Sequence, residues 1–128
     1  HRYYDGNDNT YEDRFGFFSV TTAEAHDEMI AFTSQMPHIV SNAFIKSPTA
    51  QNHKGFSAGS YKDLTRVAKL NENMWTELFL ENKEQLLKQM ELFMDKFSEL
   101  KEALQNSDVE LLKQMMKLSS ERRAHFDK

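Results

Sequence analysis

The chain has 128 residues, enough for one domain that can bury roughly two-thirds of its unfolded surface. Sixteen basic and twenty acidic side chains leave a formal net charge of −4 with the signs interspersed, which argues against a nucleic-acid or anionic-membrane surface. The absence of cysteine excludes disulfides and thiolate metal sites, and four glycines with two prolines are too few for a turn-rich β domain.

Seven methionines and ten phenylalanines suit irregular helix-on-helix packing. No apolar run approaches the ~20 residues of a membrane span, and no basic-then-apolar leader opens the chain. A soluble, cytoplasmic protein is the expectation. The fold class expected is all-α, a bundle of about five helices with a long, kinked first helix.

Residues 1–19 read as a lead-in segment. HRYYDGNDNTYED is polar, aromatic and without helical period, while FGFFSV, from Phe15 to Val20, suits a short strand or an apolar strap. The helical domain is expected over 20–128. Thr21-Thr22-Ala23-Glu24 has the form of a capping box, and Met29, Phe32, Met36, Ile39 or Val40, and Ala43 follow at helical spacing. This predicts a helix from about Thr22 to Lys46. Pro37 in its middle removes a donor and frees the Thr33 carbonyl, so a kink is expected there.

A loop from Ser47 to Ser60 carries Pro48, Gly55 and Gly59 and is long enough to be functional. A shorter helix is predicted from Ser60, with Asp63 completing a cap, to about Leu70; Asn71 caps the next, which contains Trp75 and Leu78. From Lys83 to Gln105, Leu86, Met90, Phe93, Phe97, Leu100 and Leu104 form a heptad seam. Leu87 and Met94 flank it, predicting burial on more than one side. Ser107-Asp108-Val109-Glu110 reads as a further capping box, opening a last helix that ends near Arg122-Arg123.

Four features could carry chemistry. Ser34 and His38, four apart, share a face beside Pro37; His26-Asp27 lies two turns earlier; Asp63 and Arg66 are three apart; Trp75 is the sole tryptophan. Each also has an ordinary explanation: a satisfied helix histidine, a surface ion pair, a core indole. His26, His38 and His53 lack HExxH or other paired-ligand spacing, so no metal site is expected. The heptad seam serves equally as bundle core or as a dimer contact.

In their order and spacing, HDEMIAFTSQMPHIVSNAF and GSYKDLTRVAKLNENMW resemble the carboxy-terminal domain of the prephenate dehydrogenase family. The resemblance spans about Phe15 to Arg123 and rests on His26-Asp27, Ser34, Pro37-His38, a G-x-x-x-D-x-x-R run at Gly59, Asp63 and Arg66, and Trp75. It implies oxidative decarboxylation of prephenate or arogenate with NAD or NADP, in tyrosine biosynthesis, and the heptad-bearing helix and its neighbours, with more Leu, Met and Phe than one bundle needs, predict a homodimer. It further implies substrate-binding roles for Ser34, His38, Gly59, Asp63, Arg66 and Trp75, with His26-Asp27 at a domain junction.

Two positions depart from the family pattern. Gln35 stands where many relatives have a second histidine, and only Gly55 and Gly59 remain of a glycine run. The family's nucleotide domain and its catalytic histidine precede this region. With glycines at 6, 16, 55 and 59, no GxGxxG can form here, so this chain alone is expected to be inactive and to hold no catalytic residue. A non-enzymatic helical module for ligand sensing or protein interaction is the alternative.

Overall fold

The computed structural model describes residues 3–5, 10–12, 18–20, 22–52 and 58–127, and side chains for 22–50 and 58–127. The proposed cap at Thr21, the first residues of FGFFSV, His53 and Gly55 lie outside the described residues. The chain divides into two compact units, His1–Gln89 and Met90–Lys128.

The first unit opens with a three-stranded antiparallel meander, β1 (Tyr3–Asp5), β2 (Thr10–Glu12) and β3 (Phe18–Val20). Tyr4 faces Tyr11 in one ladder and Tyr11 faces Ser19 in the next. Pairing of this kind runs through backbone groups, which is why a segment without an apolar period can still form it.

A helical rod follows, made of α1 (Ala23–Ile30), a π-helical turn (Ala31–Gln35) and α2 (Met36–Ile45). Its capping residue is Thr22, whose hydroxyl accepts from the Ala25 amide at 3.0 Å, one position later than the Thr21–Glu24 register. The distortion demanded by Pro37 takes the form of the π turn. Met36 N–H reaches back five residues to the Ala31 carbonyl, and Pro37 then falls in the first turn of a fresh α segment. A first-turn proline loses no intrahelical bond, which is the physical reason the rod continues.

After a 3-10 turn (Pro48–Asn52), α3 spans Gly59–Thr65 and passes into a second 3-10 turn (Arg66–Ala68). The expected cap from Ser60 and Asp63 does not form. The helix starts at Gly59, with Ala58 in the cap position two residues before Ser60 and no side-chain cap. Helix α3 and its 3-10 turn both pack on α2, where the Phe44 and Tyr61 rings lie 5.9 Å apart. Helix α4 (Glu72–Glu81) has the expected cap, Asn71 Oδ1 accepting from the Met74 amide at 3.0 Å. Asn82 then turns the chain into α5 (Lys83–Gln105).

In the second unit, α5 ends at a tight turn and α6 runs Val109–Phe126. Asp108 N–H reaches the Ala103 carbonyl at 3.0 Å and Ser107 N–H the Leu104 carbonyl at 3.1 Å, with Ser107 at φ 50. This is a Schellman ending with serine where glycine is usual. Ser107 is therefore spent on stopping α5, and Asp108 is the cap of α6, accepting from Leu111 N–H at 3.1 Å.

Among the described residues there are five helices, counting the rod as one, and the fold class is all-α with a small meander preceding them in sequence. The heptad seam departs from expectation within one chain. Leu86 is buried, but Phe93, Met94, Phe97, Leu100 and Leu104 are exposed, Phe97 by 60%. Buried apolar residues among those described are Ala31, Met36, Leu86 and Ala103. Among the described residues, no helix is long and apolar enough to cross a membrane.

Candidate functional site

The π turn decides what the first helical rod presents. Immediately after it, His38 is half-buried, and its Nδ1 donates to the Ser34 carbonyl at 2.9 Å. A carbonyl oxygen can only accept, so the hydrogen sits on Nδ1 and Nε2 is left available. The imidazole also stacks on Trp75, with ring centroids 3.9 Å apart and planes inclined by 26°. Trp75 in turn meets Phe79 at 5.5 Å, one turn further along α4. Two candidate residues 37 positions apart in the sequence are thus brought face to face. Ser34 itself is exposed, and its carbonyl is what it contributes to this contact.

Arg66 and Asp63 fall at a change of helix type. Asp63 is in α3, Arg66 opens the 3-10 turn that packs on α2, and both side chains are exposed. Among the described residues they make no ion pair with each other or with anything else. A Cβ built on Gly59 meets nothing within 4 Å. Whatever requires the absence of a side chain there is not part of this chain's described structure.

His26 and Asp27 lie in α1, with Nδ1 and Oδ1 3.6 Å apart. Asp27 also lines an open recess of about 390 Å³ together with Glu24, Glu81, Asn82, Glu84 and Gln85. Four carboxylates with no cation among them make this recess hostile to a dianion, so a doubly acidic ligand does not belong there. No cluster of three or more metal-ligating side chains occurs among the described residues.

Asn82 escaped the motif reading, and Gln35 entered it only as a departure from the family pattern. Gln35 is 4% exposed, and its Nε2 donates to the Leu78 carbonyl at 3.1 Å while its Oε1 accepts from Asn82 Nδ2 at 3.0 Å. Asn82 Nδ2 also donates to the Asp27 carbonyl at 2.9 Å. The available signal was a glutamine four residues after Ala31, on the face that also buries Met36.

The chain is similar in sequence and in fold to known proteins. The family model described as prephenate dehydrogenase, dimerization domain, matches residues 22–118. Cyclohexadienyl dehydrogenase of Zymomonas mobilis is 30% identical over 119 residues, covering 88% of this chain and 41% of that protein. Prephenate dehydrogenase of Lactococcus lactis is 32% identical over 88 residues, covering 65% of this chain and 25% of that protein. Among solved structures, A. aeolicus prephenate dehydrogenase in complex with hydroxyphenyl propionate and NAD+ aligns with a TM-score of 0.74 at 31% identity, over 83% of this chain and 39% of that one. Synechocystis arogenate dehydrogenase aligns with a TM-score of 0.75 at 21% identity, over 84% and 41%, a likeness of fold. The chain spans 41% or less of each of these relatives. With the matched region running from the cap of α1 into α6, the chain belongs to the prephenate dehydrogenase family, in its dimerization domain.

Proposed function

We propose that this chain is the carboxy-terminal part of a cytoplasmic NAD- or NADP-dependent dehydrogenase that oxidatively decarboxylates prephenate or arogenate in tyrosine biosynthesis. It supplies substrate-binding groups and the homodimer contact. The observation that carries this reading is His38 stacked on Trp75 with Nδ1 held by the Ser34 carbonyl. That contact offers Nε2 to a ligand beside a flat apolar wall.

Prephenate carries two carboxylates, and a guanidinium can grip a carboxylate through two parallel hydrogen bonds. Arg66, exposed on a turn that packs on α2, is the residue assigned to that grip. Ser34 and His38 hydrogen-bond the substrate from the rod. Trp75 walls the ring. Asp63 orients Arg66 or gates access to it once ligand arrives. Gly59 leaves room for close approach, in keeping with the open space around it. His26-Asp27 serves the junction with the nucleotide domain.

The residues present do not fit the nucleotide. A dinucleotide pyrophosphate needs a glycine-rich strand-to-helix turn, and glycines at 6, 16, 55 and 59 cannot form one. The hydride acceptor and the catalytic residue are therefore assigned to the rest of the polypeptide, and this chain by itself is predicted inactive.

In the test, the complete polypeptide reduces NAD or NADP only when prephenate or arogenate is added, whereas residues 1–128 alone do not. Arg66→Ala raises KM about tenfold or more, the equivalent of about 1.4 kcal/mol of lost binding. Calorimetric titration of prephenate against wild type and this variant separates the enzyme from a non-enzymatic sensing or interaction module. In such a module the variant leaves ligand affinity unaltered.

A further inference from the structure

We propose that Asn82 and Gln35 form a positioning pair that locks the π turn and thereby aims His38 at its place in the site. The inference rests on the reading of the His38 face as the substrate site, but its geometry stands independently. The two hydrogens of the Asn82 carboxamide go to the Asp27 carbonyl at 2.9 Å and to Gln35 Oε1 at 3.0 Å. Asp27 lies in the last turn of α1 before the π segment, and Gln35 is the final residue of that segment. One amide group therefore clamps both ends of the turn.

The orientation of each carboxamide is dictated by its partner. The Leu78 carbonyl can only accept, which turns Gln35 Nε2 toward it and leaves Oε1 facing Asn82. The Asp27 carbonyl likewise requires the Asn82 amino group. Leu78 is one of the last four residues of α4, whose carbonyls lack intrahelical donors, so Gln35 also caps that helix.

A π turn holds one residue more than the α-helical turn it replaces, and an α-helix advances 100° per residue. Relaxation to an α-helix would swing everything beyond Gln35 by roughly 100° relative to α1. His38 lies three residues beyond the clamp, and its stack on Trp75 depends on the π register. Gln35 is also buried, with both its amide nitrogen and its amide oxygen engaged by protein groups, so it acts through His38 rather than on the substrate.

The experiment is a double-mutant cycle in the complete polypeptide, with Asn82→Ala, Gln35→Met and the pair, each checked for native helicity by circular dichroism. The primary readout is the fluorescence of Trp75, isolated by difference against Trp75→Phe, which reports the imidazole stack without substrate. Each single variant is expected to remove the stacked signature, and the double variant to add little. KM for prephenate is expected to rise about tenfold while kcat changes less than about twofold, because the group displaced binds substrate and does no chemistry in this chain. Asn82→Asp, which keeps the shape but not the donors, serves if Asn82→Ala does not fold, and should behave the same way. A Trp75 signature unchanged in folded variants, or effects that simply add, overturns the proposal even if thermal stability falls. A wild-type protein that shows the stacked signature but neither binds nor turns over prephenate sinks the functional reading and leaves the clamp standing.

Discussion

At the scale of single residues, backbone conformation separates structural from ligand-facing positions. Ser107 sits at φ 50, where an L side chain costs about 1–2 kcal/mol and glycine does not. Ser107→Gly should therefore stabilise the protein by about 0.5 kcal/mol after glycine's own entropy cost, seen as a higher melting temperature. Gly59 is the opposite case, with open space where a Cβ would stand and a place in the first turn of α3. Gly59→Ala should leave stability unchanged or raise it by up to about 1 kcal/mol, while KM for prephenate rises. A loss of more than about 1 kcal/mol would instead mark Gly59 as structural. The motif reading placed His38 and Trp75 in one site, but their direct stacking was not legible, because 36 intervening residues set it. Gln35 could be seen to differ from relatives, yet only its two bonds show what it does.

At the scale of elements, what could be read followed from the strength of the local signal. Helix α5 runs Lys83–Gln105 as its apolar spacing predicts, and Asn71 caps α4 as its position before Glu72 predicts. Replacing Asn71 by alanine should cost about 1 kcal/mol of stability, measurable by urea unfolding with an unchanged m-value. The caps at Thr22 and Asp108 each fell one residue from the expected register, because two adjacent residues at each site carry a capping oxygen. Local chemistry does not choose between neighbours; the preceding chain does, as when Ser107 is taken up in ending α5. The π turn was not legible at all. Pro37 announces a missing donor, but how a helix absorbs that loss depends on the partners supplied by α4 and Asn82.

At the scale of the whole molecule, the exposed heptad face argues for association. Phe93, Phe97, Leu100, Leu104, Val109, Met116 and Leu118 are exposed in one chain, and Phe97 lies beside Phe93 with ring centroids 6.2 Å apart. Stripes of this kind are what obligate helical interfaces bury. The homodimer proposal predicts sedimentation at about twice the 15.0 kDa of one chain, and Phe97→Glu should shift it toward a single chain. A wild-type mass of one chain at micromolar concentration would refute it. If the dimer completes the core, the midpoint of thermal unfolding rises with protein concentration.

The same greasy flank has a cost during biosynthesis. Helices form within about a microsecond, whereas meeting a second copy is bimolecular and waits on how many copies the cell has made. If the chain pairs as proposed, each newly released copy spends an interval with Phe97 and Leu104 bare to solvent, longest when expression is low. Over that interval, productive pairing competes with aggregation and chaperone capture, so the yield of soluble protein should depend on synthesis rate more steeply than for a monomer of equal size.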